Sequence, residues 1–221
     1  MKKQSATEQA YSVIKKNILS HKLAPGTRLT SRNMARLTGV SVIPVLHALQ
    51  RLDGEGLIET IPGWGSRVIT LDQETVRDKY YLREAIECQV VRILAMTITE
   101  PQVEELARLV ATLDEYGSAY PVDDRYWPTD HEFHLTLARF AGSKSLLREI
   151  QKINLFRFLQ RAKEWTLVEK EAFPKDHHKA VLDAILSGDP DAAEKAMRAH
   201  IHHRSHRVFN HVVRRQALDR N

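Results

Sequence analysis

The one β-hairpin signal in this sequence, residues 57–70, lies directly behind three short helical segments, and everything after it reads as helix. That order constrains the fold more than any other feature. Residues 7–20 place Tyr11, Ile14 and Ile18 on one face at helical spacing, and Pro25-Gly26 then breaks the chain. Ser31 is expected to cap a second helix over Arg32–Leu37, which Thr38-Gly39-Val40 turns out of. Ser41 is expected to cap a third helix, with Pro44 in the first turn where its missing N–H costs nothing. That helix should run to about Asp53 and stop at Gly54, with Val45, Ala48, Leu49 and Leu52 facing the core. Leu57–Ile61 and Arg67–Thr70 then flank Pro62-Gly63-Trp64-Gly65 as β-rich segments. Helix, turn, helix, Gly turn, helix and hairpin together spell a winged helix-turn-helix, whose second HTH helix enters the major groove of DNA.

From Asp72 onward the periodicity is helical throughout. Helices are expected over 72–97, 100–116, 126–141, 144–165, 170–187 and 189–213, separated by Tyr120-Pro121, Pro128, Gly142-Ser143 and Ser187-Gly188-Asp189-Pro190. The pattern is an antiparallel all-α bundle of about six helices. The fold class is therefore mainly α, with a winged helix-turn-helix domain over 1–71 and a helical domain over 72–221.

Charge follows the same division. Residues 1–71 carry ten Lys/Arg against four Asp/Glu, a net of +6. Residues 72–203 carry eighteen against twenty-three, a net of −5, and the last eighteen residues five against one. A basic module on a mildly acidic body points to a polyanion partner for the first part. The single cysteine, Cys88, excludes an internal disulfide framework and any multi-cysteine zinc or iron–sulfur site, and is read as a small buried apolar residue. No apolar run approaches the roughly 18 residues that span a membrane, and MKKQSATEQAYSVIKK has no apolar signal-peptide region. The expectation is a soluble cytoplasmic protein without a membrane partner.

Specific residues carry a resemblance. Leu23-Ala24-Pro25-Gly26-Thr27-Arg28-Leu29, Ala35-Arg36-Leu37-Thr38-Gly39-Val40-Ser41, Pro44-Val45, Ala48-Leu49, Leu52 and Gly56-Leu57 resemble the GntR family of bacterial winged-helix regulators. Arg83-Glu84-Ala85-Ile86-Glu87, Asp130-His131-Glu132-Phe133-His134, His178 through Ile185 and Met197-Arg198-Ala199-His200 resemble the helical effector domain of its FadR branch, called FCD. Both halves agree, in the family's order, over nearly the whole chain.

Asp130 and His134 are four apart and share one helix face. The resemblance adds His178 and His200 from two later helices. One aspartate and three histidines converging in a bundle would hold a divalent metal, zinc first, with nickel, manganese or iron as alternatives. Such an ion keeps room for a small carboxylate. His203 shares a helix face with His200 and competes for its place, while His131, His177 and His202 lie close by in sequence. The resemblance places Arg83 in the effector cavity, where a planar cation suits a carboxylate; an internal pair with Glu87 is the alternative. Asn154, Arg157 and Arg161, on the fourth bundle helix, are further candidates for the same pocket. The basic tail from His200 to Arg215 is read as a final helix with a solvated face. Glu132, the obvious base near the ligands, points off their face, so the chain is not read as an enzyme.

The DNA-reading segment departs from the family's usual S-R-x-P-V-R-E-A-L. Here Ser41-Val42-Ile43-Pro44-Val45-Leu46-His47-Ala48-Leu49 replaces both arginines, by Val42 and Leu46, and the glutamate by His47. A bidentate Arg–guanine pair is worth about 1–3 kcal/mol of discrimination. Two readings stay open. In one, Val42, Ile43 and Leu46 are set against thymine methyls while Arg28, Ser31, Arg32, Ser41, His47, Gln50, Arg51 and the wing residue Arg67 make polar contacts; in the other, the apolar patch packs on protein and DNA binding is weak. The resemblance implies a ligand-responsive regulator, commonly a repressor, acting as a homodimer on a palindromic double-stranded operator and released by a small organic acid.

Overall fold

The computed structural model describes residues 5–70, 72–119, 123, 125–153 and 177–203. Those up to residue 70 form one compact unit, and those over 72–151 and 177–203 form another.

In the first unit, α1 (Ala6–Leu19) buries Ala10, Tyr11, Ile14 and Ile18, while Ser5 caps it by accepting the Glu8 N–H. α2 (Ser31–Thr38) is capped by Thr30, whose Oγ1 accepts the Asn33 N–H at 3.2 Å, so Ser31 is the first helical residue rather than the cap. The helix starts one residue earlier because Thr30 is already extended and brings its own acceptor. Gly39 ends α2 in the left-handed region at φ 71°, a conformation in which a Cβ would be strained. α3 (Val42–Gly54) follows Ser41, which holds the extended N-cap conformation but makes no side-chain capping bond. Val45, Ala48, Leu49 and Leu52 are buried against α1 and α2.

The hairpin is β2 (Ile58–Ile61) and β3 (Gly65–Val68). β3 opens at Gly65 rather than Arg67, because Ile61 pairs directly with Gly65 across a tight Pro62-Gly63-Trp64 turn. A two-residue strand, β1 (Arg28–Leu29), adds to the far edge of β3 and gives the order β1-β3-β2. Leu29, Ile58 and Val68 face inward and join the helical core.

The second unit is helical. It comprises α4 (Gln73–Thr97), α5 (Glu100–Ser118), α6 (Tyr126–Phe140), α7 (144–153) as far as residue 151, α8 (His177–Leu186) and α9 (190–203). Asp72 caps α4 by accepting the Thr75 N–H, and the Gln102 side chain accepts the Thr99 N–H where α5 begins. α4 and α5 each pack on both α6 and α8. α9 is tied to α4 by Arg92, which donates to Asp191 and Glu194, and by the Arg198–Glu84 pair. Every described helix of the unit lies within or beside the expected range. No helix among the described residues is long and apolar enough to cross a membrane.

Candidate metal centre and nucleic-acid interface

α6 carries the start of the helical unit's polar centre. Asp130 and His134 lie one turn apart on the face that also buries Phe133 and Leu137, so the helix cannot bury its apolar stripe without taking them inside. α8 brings His178 and α9 brings His200. All four are buried, and one ligand atom from each lies within 4.8 Å of every other. His178 Nε2 is 3.0 Å from Asp130 Oδ1, His200 Nε2 is 3.3 Å from His134 Nε2, and His134 Nε2 is 3.8 Å from Asp130 Oδ1. Four donors around a small ion at about 2.1 Å would stand about 3.4 Å apart in a tetrahedral arrangement. The observed spacing brackets that value. Phe133 walls the cluster with its ring edge-on to His178, at a 5.0 Å centroid separation.

α4 supplies a second layer. Arg83 and Glu87 are 1% and 2% exposed, and Arg83 Nε donates to Glu87 Oε1 at 2.6 Å. Glu87 Oε2 sits 2.6 Å from His134 Nδ1, and Arg83 Nη2 sits 3.0 Å from His134 Nε2. An arginine cannot accept, so His134 Nε2 presents its lone pair and the ring proton resides on Nδ1, facing the carboxylate. Burial, helped by the Arg83 charge, pushes His134 down to about 4 against the pull of Glu87, so the ring is neutral near pH 7. Burial raises Glu87, but the adjacent guanidinium and His134 outweigh it and hold the carboxyl far below its ordinary range. Arg83 Nη1 has no hydrogen-bond partner among the described residues. Arg83 thus forms the internal pair with Glu87 and reaches the His134 ring with the same guanidinium. Glu87, which sequence spacing marked only as a partner for Arg83, also touches the His134 ring. No pattern in sequence joins positions 87 and 134.

The competing histidines fall elsewhere. His203 stacks beside His177, with ring centroids 4.4 Å apart, and neither belongs to the converging set. His202 Nε2 approaches Glu84 Oε2 at 2.5 Å on the outside of α4. Glu132 is exposed and accepts from Arg139 at 2.7 Å. Cys88 is buried with its thiol pushed up to about 11 by desolvation, which leaves it protonated and unreactive. Asn154, Arg157 and Arg161, and the tail beyond residue 203, lie outside the described residues.

In the first unit, the outward face of α3 consists of Val42, Ile43, Leu46, His47 and Gln50, all exposed; Ile43 stands 67% open and Leu46 46%. Ser41 and Arg32 are also exposed, and Ser31 is half-buried. The other arginines are engaged within the unit. Arg51 lies 3.5 Å over the Tyr11 ring and donates to Glu8 at 2.8 Å and Glu55 at 3.4 Å. Arg67 donates to Glu59 at 2.7 Å across the hairpin. Arg28 stacks on Trp64 at the wing tip and donates to its carbonyl at 2.7 Å.

Residues 6–68 match the family model of bacterial regulatory proteins of the gntR family, and residues 78–203 match the FCD domain. The chain belongs to the GntR family, with an FCD domain. This GntR regulator is 28% identical over 198 residues to the HTH-type transcriptional repressor RspR of Escherichia coli K12, spanning 90% of this chain and 86% of that one. It is 30% identical over 209 residues to an HTH-type transcriptional regulator in an unstable DNA locus of Streptomyces ambofaciens, spanning 94% and 85%. Among solved structures it is similar in fold to Escherichia coli McbR/YncC, with a TM-score of 0.70, 18% identity and coverage of 94% and 98%. The protein is a transcriptional regulator of the GntR/FCD type and not an enzyme.

Proposed function

We propose that this regulator binds a divalent metal through Asp130, His134, His178 and His200, and that a small carboxylate effector held beside it changes operator affinity. The observation that carries this reading is the convergence of three imidazoles and one carboxylate from α6, α8 and α9 at one buried point. A bound ion would act as a Lewis acid toward a carboxylate oxygen, and a His-rich set favours zinc. The chain's own residues do the remainder. Glu87 orients the His134 ring and fixes its tautomer. Arg83 presents Nη1 as a buried cation suited to a carboxylate. Phe133 closes one side and limits water.

The winged unit supplies the DNA side of this function. Its net charge of +6 over residues 1–71 and the exposed face of α3 support a major-groove role for that helix. The regulator acts as a homodimer, because a palindromic operator needs two recognition helices about one helical turn apart. Repression relieved by the effector is the sign proposed.

The test is metal content per chain in untagged protein purified without metal-affinity resin, beside His178→Ala and His200→Ala. About one divalent ion per chain, absent from both variants, is the expected result. A folded wild type that takes up no metal after supplementation overturns the site. Metal-replete protein is then screened with small carboxylates for a change in DNA affinity of about 5–150-fold, the usual range of such coupling. If effector binds while DNA never does, the protein acts through protein contacts instead.

A further inference from the structure

The face that α3 turns outward is unusual for a surface that reads DNA, and its composition carries an inference about which base pairs it reads. Among the described residues of the first unit, the exposed large apolar side chains are Leu37, Val42, Ile43, Leu46 and Trp64. Three of these five stand in the first turn and a half of α3, the part of an HTH recognition helix that meets base edges. Of the basic residues that could supply hydrogen bonds, Arg51 is held by Tyr11, Glu8 and Glu55 and Arg67 by Glu59, while Arg32 is exposed on α2 rather than on this face. The polar side chains left on the outward face are His47 and Gln50.

We propose that Val42, Ile43 and Leu46 read the 5-methyl groups of thymine in the major groove, and that Gln50 pairs with the edge of an adjacent adenine. The proposal rests on the reading above that α3 enters that groove, and it names the operator class: half-sites built from A·T pairs. Thymine alone presents a methyl group in the major groove, and an amide side chain matches the donor–acceptor pair of adenine N6 and N7. The order along the helix fits, since Gln50 lies one turn beyond Leu46 and two beyond Ile43 on the same face. A protein partner fits less well. Specific protein interfaces engage about 20–30 residues a side, whereas this patch is a single helical turn on a module of net charge +6.

The full-length protein is used to select from a library of random-sequence duplexes, and the enriched duplex is resynthesised with deoxyuridine in place of thymidine, which removes the methyl and keeps the pairing. Enrichment of A·T-rich half-sites is expected. Each contacted methyl lost should weaken binding about fourfold, the equivalent of one buried methylene, so two give about fifteenfold. Ile43→Ala and Leu46→Ala, both at exposed positions, should each shrink the difference between the thymine and uracil duplexes, and both combined with Val42→Ala should abolish it. Gln50→Ala should relax one adenine position and leave that difference in place. Equal binding of the thymine and uracil duplexes, or guanine-rich half-sites, overturns this inference and leaves DNA binding intact. Failure to enrich any duplex with salt-dependent affinity overturns the groove reading beneath it as well.

Discussion

Replacing Glu87 by Gln keeps the shape of the side chain and removes one buried negative charge. Arg83 and Glu87 have side chains 1% and 3% exposed and lie 2.6 Å apart, so water cannot take over the role of the missing partner. Breaking a buried ion pair by removing one member typically costs about 3–5 kcal/mol, because the other charge stays inside uncompensated. The same pair at the surface would be worth at most about 1 kcal/mol. The assay is urea unfolding of EDTA-treated full-length protein, following the transition of the helical unit. A loss in the buried range with the urea dependence little changed is the expected result. Changing both residues together to Met and Leu should recover most of the loss, since an apolar replacement leaves no stranded charge. The pH dependence has a definite sign. Glu87 is depressed below its ordinary 4.5 in the folded protein, so its contribution is complete above that value and is lost as pH falls through the folded one. The deficit of Glu87→Gln should therefore stay constant from neutral pH down to the unfolded carboxylate range and shrink below it. Metal affinity should fall about 10–100-fold, because Glu87 aligns His134. A loss below about 1 kcal/mol, the surface value, together with unchanged metal affinity, would refute both the buried pair and the positioning role.

Other outcomes follow from the same geometry. Zinc at a hundredfold excess over its Kd should stabilise the helical unit by about 2.7 kcal/mol, and Asp130→Asn should remove that increment in a thermal or urea titration. Glu55 accepts from Tyr11 and Lys15 at 2.7 and 2.8 Å; these bonds, with Arg51, outweigh its burial and lower its pKa. Its contribution to the winged unit is thus lost on acidification through the folded value, and Glu55→Gln should cost about 1 kcal/mol at pH 7 and flatten the acid limb of the stability profile. Gly39→Ala should cost about 1–2 kcal/mol in urea unfolding with no steric clash, since nothing lies within 4 Å of the added Cβ and only the left-handed backbone objects.

Much of this was legible in the sequence. Periodicity located the helices because burial of one stripe is a local demand: Val45, Ala48, Leu49 and Leu52 had to face inward whatever they met. It also set Val42, Ile43 and Leu46 outside. Local chemistry was less decisive at the ends of elements. Thr30 and Ser31 are both capping residues, and only backbone conformation chose between them. The two residues of β1 carry no strand signal of their own, because their strand exists only by pairing with β3, through Arg28–Arg67 and Leu29–Ser66.

The polar centre divides in the same way. Spacing alone put Asp130 and His134 on one face of α6, and similarity to the family pointed to His178 and His200. The distances among them were decided by how α6, α8 and α9 pack, as was the selection of His200 over His203, which turns to His177 instead. The second role of Glu87 and the engagement of Arg51 with Tyr11, Glu8 and Glu55 were likewise decided in three dimensions. A helical period dictates which residues share a face, because that depends on neighbours within one turn. Which atoms of two faces meet depends on residues 40 to 70 positions apart, and only tertiary packing brings those together.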